Sequence, residues 1–355
     1  MSRQPVILVV DDSAFNRRTL TKILEDAMPE CRVVTARDGE EALQKVDSED
    51  PAVITLDLEM PRMDGFTFLR VLMNQKPRPV IVVSAKNDER SLLKALELGA
   101  LDYLAKPMQQ ATMRLHEISE EYVQKIRMAL SMERHALERR SQIMLRRVQA
   151  TAGAVPKVAP SGWEVSRIVL IGASTGGPAA LQTLLTQITP RKNMAIVVAQ
   201  HMPENFTGVF AARLNTLLPF EVKEVTSVEM LAANTVYIAR GGRNIAVTNQ
   251  NDKVFLASLR PPPTTRFVPS VDHLFETAAL NFPRRMLGVI LTGMGSDGVA
   301  GARALRSRNV PVLVESEKTA VVFGMPKAAI DAGVATGVFS LDTLAGEIND
   351  WLGAI

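Results

Sequence analysis

Two series of short apolar runs, separated by stretches with helical spacing, constrain what this chain can fold into. The first series is VILVV, RVVTA, AVITLDL, PVIVVSA and DYLAKP. The second is RIVLIGA, AIVVAQ, TVYIA, NIAV, VFLA, GVILTG and VPVLVE, from about residue 167 onward. Near-continuous apolar strands joined through helical crossovers imply parallel sheets covered on both faces. The expected class is therefore α/β with two doubly wound domains, the first built on five parallel strands and the second larger and mostly parallel.

Between the two series, Leu115, Ile118, Tyr122 and Ile126 recur at helical spacing amid dense charge, and the stretch 151–162 carries alanine, glycine and two prolines. The expected organisation is a first domain over 1–110, a charged helical and Pro/Ala/Gly linker over 111–163, and a second domain over 164–355. Arg134, Arg139, Arg140, Arg146 and Arg147 crowd the linker and read as a solvated spacer, ahead of a contact with an acidic protein, a membrane surface or nucleic acid.

With 355 residues there is chain enough for two cores, and 46% hydrophobic with 22% charged residues is ordinary globular composition. A net charge of +3 gives no general attraction to nucleic acid, so none is expected as a partner. Cys31 is the one cysteine, which excludes an internal disulfide and a thiolate metal cluster and fits a reducing compartment. VILVV is too short for a leader and runs into two aspartates, and no apolar run approaches the ~18 residues that span a bilayer. The expected location is the cytoplasm, without membrane insertion.

In the first domain Asp11 and Asp12 follow VILVV, and Asp57 follows AVITL. Ligands of open parallel sheets bind outside the carboxyl ends of the strands, so these three carboxylates are expected to converge. Clustered oxygens suit Mg²⁺, which takes a few carboxylates and keeps water and phosphate oxygens in its shell. Ser84 follows the fourth run and Lys106-Pro107 the fifth, placing a hydroxyl and an ammonium where they could hold further phosphoryl oxygens. Each residue alone reads better as a cap, a turn or a solvated charge. Five at successive strand ends read as a site.

The pieces VVDDS, LDLEMPRMDG, VVSA and AKP, within residues 5–108, resemble the receiver domain of two-component response regulators. The resemblance implies a flavodoxin-like sheet in which Asp57 accepts the phosphoryl group and Asp11, Asp12 and Asp57 hold Mg²⁺. Ser84 and Lys106 would answer the phosphate, and Tyr103 would occupy the aromatic switch position. The Lys106-Pro107 bond is expected to be cis.

In the second domain IGASTGGP places Ser174 between an apolar run and a helical segment, with the Gly-x-Ser-x-Gly spacing of a nucleophile elbow. On the motif alone, a helix cap or a phosphate-binding turn is the favoured reading. A nucleophilic serine needs a base. Of the 4 histidines, His116 and His135 fall in the charged helix, while His201 stands directly after AIVVAQ. His273 is the second choice as base, and Asp272 beside it reads as a helix N-cap. Asp297 follows GVILTG through MGSDG, so Ser174, His201 and Asp297 all leave carboxyl ends of expected strands.

The stretches IGASTGGP, QHMPENFT, VYIARGG, PSVDHLF, LTGMGSDG and VFGMPKAAI resemble the catalytic domain of the CheB family, the chemotaxis protein-glutamate methylesterases. The resemblance implies a carboxylic ester hydrolase that removes methyl groups from γ-glutamyl methyl esters on the cytoplasmic domains of chemoreceptors and deamidates receptor glutamines. Ser174 would be the nucleophile, His201 the base and Asp297 its orienting acid, with no cofactor for the esterase. Backbone N–H groups near Ser174 and Met294 would form the oxyanion hole, and Thr175 would support the histidine. A CheA-type histidine kinase would donate the phosphoryl group, and the receiver would obstruct the ester site until Asp57 is phosphorylated. Arg240, Val268 and the stretch VLVESEK depart from the family pattern, which bears on the substrate and leaves the chemistry intact. Two other readings stand beside this one: an esterase acting on another acylated protein, and a non-catalytic signalling adaptor.

Overall fold

A computed structural model of the chain describes residues 4–84, 89–106, 112–132, 157 and 165–354. The chain divides into two compact units, Met1–Ala150 and Thr151–Ile355.

In the first unit five parallel strands, β1 (Val6–Val10), β2 (Arg32–Ala36), β3 (Val53–Leu56), β4 (Val80–Ser84) and β5 (Asp102–Ala105), lie in the order β2-β1-β3-β4-β5. Ile7, Leu8, Val53 and Ile81 are fully buried, as strands covered on both faces require. The helices are α1 (Ala14–Ala27), α2 (Gly39–Glu49), α3 (Gly65–Gln75), α4 (Glu89–Glu97) and α5 (Thr112–Leu130). Ser13, Asp38 and Asp64 cap the first three, each accepting a backbone N–H of its helix's first turn.

Helix α5 corrects the expected organisation, which began a linker at residue 111. Tyr122 and Ile126 are fully buried, and the Tyr122 hydroxyl reaches Thr55 Oγ1 of β3 at 3.4 Å. Lys125 pairs with Asp102 at 3.0 Å and donates to the Tyr103 carbonyl at 2.7 Å. The dense charge that suggested a free spacer therefore ties α5 to β5. The arginine-rich stretch, His135, Pro107 and most of 133–164 lie outside the described residues, and with them the linker assignments and the Lys106-Pro107 bond.

The second unit has a parallel sheet of seven strands among the described residues, in the order β15-β14-β13-β6-β7-β10-β8. These are β6 (Arg167–Ala173), β7 (Met194–Gln200), β8 (Glu221–Val225), β10 (Thr235–Ala239), β13 (Arg285–Ile290), β14 (Val312–Glu315) and β15 (Gly337–Phe339). NIAV and VFLA do not join it. They form an antiparallel hairpin, β11 (Asn244–Gln250) and β12 (Lys253–Leu259), which pairs with β9 (Glu229–Met230) in a sheet of its own. Asn251 and Asp252 between them both have positive φ, 53° and 62°, as a two-residue turn matched to strand twist requires.

The helices of this unit are α6 (Gly177–Leu185), α7 (Glu204–Leu217), α8 (Val271–Asn281), α9 (Val299–Arg306), α10 (Met325–Asp331) and α11 (Leu341–Gly353). Strand β6 lies between β7 and β13, so the chain winds first one way from β6 and then the other, leaving a crevice at the carboxyl ends of β6 and β13. Close packing of α8 over this crevice demands small residues. A Cβ on Gly172 would lie 2.3 Å from Val271 Cγ1, and one on Gly301 would lie 2.5 Å from Phe275 Cβ.

Candidate active site

The crevice of the second unit collects the three residues from three strand ends. Ala173 of β6 pairs in register with Gln200 of β7, so Ser174 and His201 leave the sheet side by side, and the His201 N–H donates to the Ala173 carbonyl at 3.0 Å. The turn after Ser174 closes through the Gly177 N–H on the Ser174 carbonyl at 2.8 Å, with Gly176 at φ +76°.

His201 Nε2 lies 2.7 Å from Asp297 Oδ2. Asp297 Oδ2 also accepts the Val271 N–H at 2.7 Å, while Oδ1 accepts the Asp272 N–H at 3.0 Å and the Ser270 hydroxyl at 3.1 Å. The carboxylate thus sits on the N-terminus of α8, where orphan N–H groups and the helix dipole favour negative charge. Burial pushes its pKa up, but His201 and the backbone donors outweigh burial and hold it below the usual carboxylate value. Asp297 is therefore an anion built to fix a proton on Nε2. The other ring nitrogen, Nδ1, is buried with no hydrogen-bond partner among the described residues. Phe267 stacks on the imidazole with ring centroids 5.0 Å apart and 1° between planes.

Among the described residues no hydrogen bond joins the Ser174 hydroxyl to His201; in free enzymes such contacts are often long and tighten only on substrate. The Ser174 N–H is committed to the Thr292 carbonyl at 3.0 Å. On the facing loop, Gly293 is held through both its N–H and its carbonyl, whereas the Met294 N–H donates to no carbonyl among the described residues. Thr175 is nearly buried, and its carbonyl accepts the Thr292 hydroxyl at 2.9 Å. His273 lies on α8 with Nε2 buried and bonds to neither Ser174 nor Asp297.

Several contributors escaped the sequence. Ser270 is the N-cap of α8, where Asp272 was expected. Asp272 instead reaches to α9, its Oδ1 accepting the N–H groups of Gly298 at 2.9 Å and Gly301 at 2.7 Å. Burial, with the Asp297 charge adding to it, lifts the Asp272 pKa to about 6 against those two donors. Thr292 is fully buried and bonds to Ser174, Thr175, Val322 and Glu315. A lone threonine after a strand carries no signal of such a role.

In the first unit Asp11 and Asp12 follow β1 and Asp57 follows β3, with ligand oxygens all within 4.8 Å of one another. Lys106 Nζ lies 2.5 Å from Asp57 Oδ2 and 3.1 Å from Asp11 Oδ2. Asp11 Oδ1 also accepts the Ser13 N–H at 2.8 Å and the Asn16 amide at 3.2 Å. Burial pushes Asp57 up to about 6 in spite of Lys106, and Lys106, although burial opposes its charge, is raised by the two aspartates. Ser84, at the end of β4, and Tyr103, on β5, are both buried. Burial raises the Tyr103 hydroxyl well above its ordinary value. Two buried carboxylates that share a single ammonium, with a third exposed beside them, fit a hard divalent cation that binds oxygen.

The folds and the residues at their strand ends define the class, a receiver-type domain joined to a parallel-sheet α/β domain. Residues 169–348 match the family model described as CheB methylesterase, and residues 7–117 that of the response regulator receiver domain. The chain is 42% identical to protein-glutamate methylesterase/protein-glutamine glutaminase 3 of Geobacter sulfurreducens over 96% of each chain. It is also 42% identical to protein-glutamate methylesterase/protein-glutamine glutaminase 1 of Myxococcus xanthus over 98% of this chain and 96% of the relative. Among solved structures, the Thermotoga maritima CheB methylesterase catalytic domain is 36% identical, covering 52% of this chain and 97% of its own, with a TM-score of 0.49. The chain belongs to the CheB methylesterase family and is a hydrolase. No described helix is long and apolar enough to cross a membrane.

Proposed function

We propose that this protein hydrolyses γ-glutamyl methyl esters of chemoreceptors and deamidates receptor glutamines through Ser174, His201 and Asp297, and that phosphorylation of Asp57 by a CheA-type histidine kinase activates it. The observation that carries the reading is the 2.7 Å bond from His201 Nε2 to a buried, helix-held Asp297, which leaves Nδ1 without a partner among the described residues on a histidine whose strand runs beside that of Ser174. With the ring proton held on Nε2, Nδ1 presents its lone pair. Nδ1 takes the hydroxyl proton as Ser174 Oγ attacks the side-chain carbonyl carbon, and Asp297 stabilises the imidazolium formed. The imidazolium then gives that proton to the departing methanol or ammonia, leaving a glutamyl ester on Ser174. Water attacks this ester with Nδ1 again as base, and the serine is restored. The Met294 N–H serves the oxyanion, a role worth about 3 to 4 kcal/mol per donor. Thr175 supports the site through its bond to Thr292.

In the receiver unit Asp11, Asp12 and Asp57 would hold Mg²⁺, whose chemistry is to neutralise phosphoryl oxygens. Asp57 accepts the phosphoryl group, Lys106 and Ser84 hold its remaining oxygens, and Tyr103 reports the change at the switch position. The test is methanol release from membranes carrying methylated chemoreceptors, comparing wild type with Ser174→Ala. Release that disappears in the variant is the expected result. If phosphorylated wild type released none yet cleaved a small acyl ester through Ser174, the receptor substrate would be refuted in favour of another acylated protein.

A further inference from the structure

The bond to Asp297 does not by itself aim His201. The second side-chain torsion of histidine is broad, so rotamer preference leaves the ring free to tilt about its Cβ–Cγ bond. Nδ1 lies on the opposite side of that axis from Nε2. A tilt that the Asp297 bond tolerates therefore changes the direction in which Nδ1 points.

One side chain opposes the tilt. Phe267 lies flat on the imidazole, 5.0 Å between centroids and 1° between planes. Parallel rings at that separation are in stacking range, and turning the imidazole would drive its edge into the phenyl face. Phe267 is itself hemmed in. The Arg266 guanidinium carbon stands 5.3 Å from its ring centroid. A Cβ on Gly295, beside Met294, would come within 3.3 Å of its Cζ. Three residues further on, Ser270, Val271 and Asp272 supply donors to Asp297. One segment thus covers the face of the base and holds the acid behind it.

We infer that Phe267 is a positioning residue of the reaction, its ring fixing the tilt of the His201 imidazole and hence the direction of Nδ1. The inference rests on the reading above that His201 is the general base. A flat ring is what the role requires. Leucine offers similar bulk but no plane, whereas tyrosine preserves the stack.

The test measures kcat and KM for methanol release from methylated receptor membranes with wild type, Phe267→Leu and Phe267→Tyr, together with their thermal unfolding. Because a misplacement of about 1 Å costs up to about 100-fold, Phe267→Leu is expected to lower kcat roughly 10- to 100-fold, with KM within about threefold of wild type. Phe267→Tyr is expected to stay within about threefold of wild type in both constants, and all three proteins to be folded at the assay temperature. Three results would overturn the inference: an unchanged kcat in Phe267→Leu, a loss confined to KM, or an equal fall of kcat in the tyrosine variant. If wild type released no methanol under phosphorylating conditions, the receptor reading would fail. The same variants compared on a small acyl ester, where kcat must show the same pattern, would then decide the role of Phe267.

Discussion

Asp297→Asn should be milder than the loss of about 10⁴ in kcat that the same change causes in a serine protease triad. The structure supplies the reason. Oδ2 faces two N–H donors, His201 Nε2 and the Val271 backbone, whereas Oδ1 faces the Asp272 backbone N–H and the Ser270 hydroxyl. An asparagine that put its NH₂ toward Oδ2 would meet two donors and force the proton of His201 onto Nδ1. Turned the other way, the NH₂ meets one backbone donor and a hydroxyl that can rotate to accept from it. The second orientation leaves one backbone group unpaired, a cost of about 1–3 kcal/mol in stability. It keeps the productive tautomer. What remains lost is the charge on the partner of the imidazolium, the difference between a charge-assisted and a neutral hydrogen bond, about 1 to 3 kcal/mol. The expected kcat is about 10- to 100-fold below wild type, roughly 1.4 to 2.7 kcal/mol in the barrier. Methanol release gives kcat, and ¹⁵N shifts of the His201 ring report which nitrogen carries the proton. A loss near 10⁴ with the proton on Nδ1 would refute the orientation argument, and a kcat within twofold of wild type would refute Asp297 as partner of the base.

Thr292→Val keeps the shape but removes the hydroxyl that donates to the Thr175 carbonyl and accepts the Val322 N–H, both at 2.9 Å. Urea denaturation of the variant should show a loss of about 2–4 kcal/mol, and a change below about 0.5 kcal/mol would mean that the hydroxyl is dispensable. Asp272, raised from 3.8 to about 6 by burial, binds a proton in the folded state where the unfolded chain does not. Wild-type stability should therefore fall as pH rises between these two values. Asp272→Asn retains an acceptor for Gly298 and Gly301 but has no charge to bury, so in denaturation curves from pH 4 to 8 its stability should fall less than that of wild type, with the share of Asp57 remaining; curves parallel to wild type would contradict it. Asp57→Asn should abolish the rise in methanol release that a small phosphodonor produces, and a rise equal to wild type would rule out gating through Asp57.

Much of the site is visible in the chain because doubly wound sheets place chemistry directly after apolar runs. Ser174, His201 and Asp297 each follow such a run within a few residues, as do Asp11, Asp12, Asp57, Ser84 and Lys106. Other elements were hidden. Strand β8, EVKEV, has only two buried side chains and reads as a charged loop. The charge of α5 concealed a packed helix, because a Lys125 that pairs with Asp102 is indistinguishable in sequence from a solvated one.

The sequence by itself determined the class of each domain and the residues available for chemistry, since strand burial and strand-end placement are properties of short segments. Tertiary structure decided how those residues work. Asp297 is held ionised by donors some 25 residues earlier at the start of α8, and Asp272 repays that contact by capping α9. Tertiary packing also selected the nitrogen of His201 that faces its acid, the ring that lies on its face, and the carbonyl that takes the Ser174 N–H. These contacts join residues as far apart in sequence as Ser174 and Thr292, and the packing of α8 over β6 brings their partners within reach, which no local pattern records.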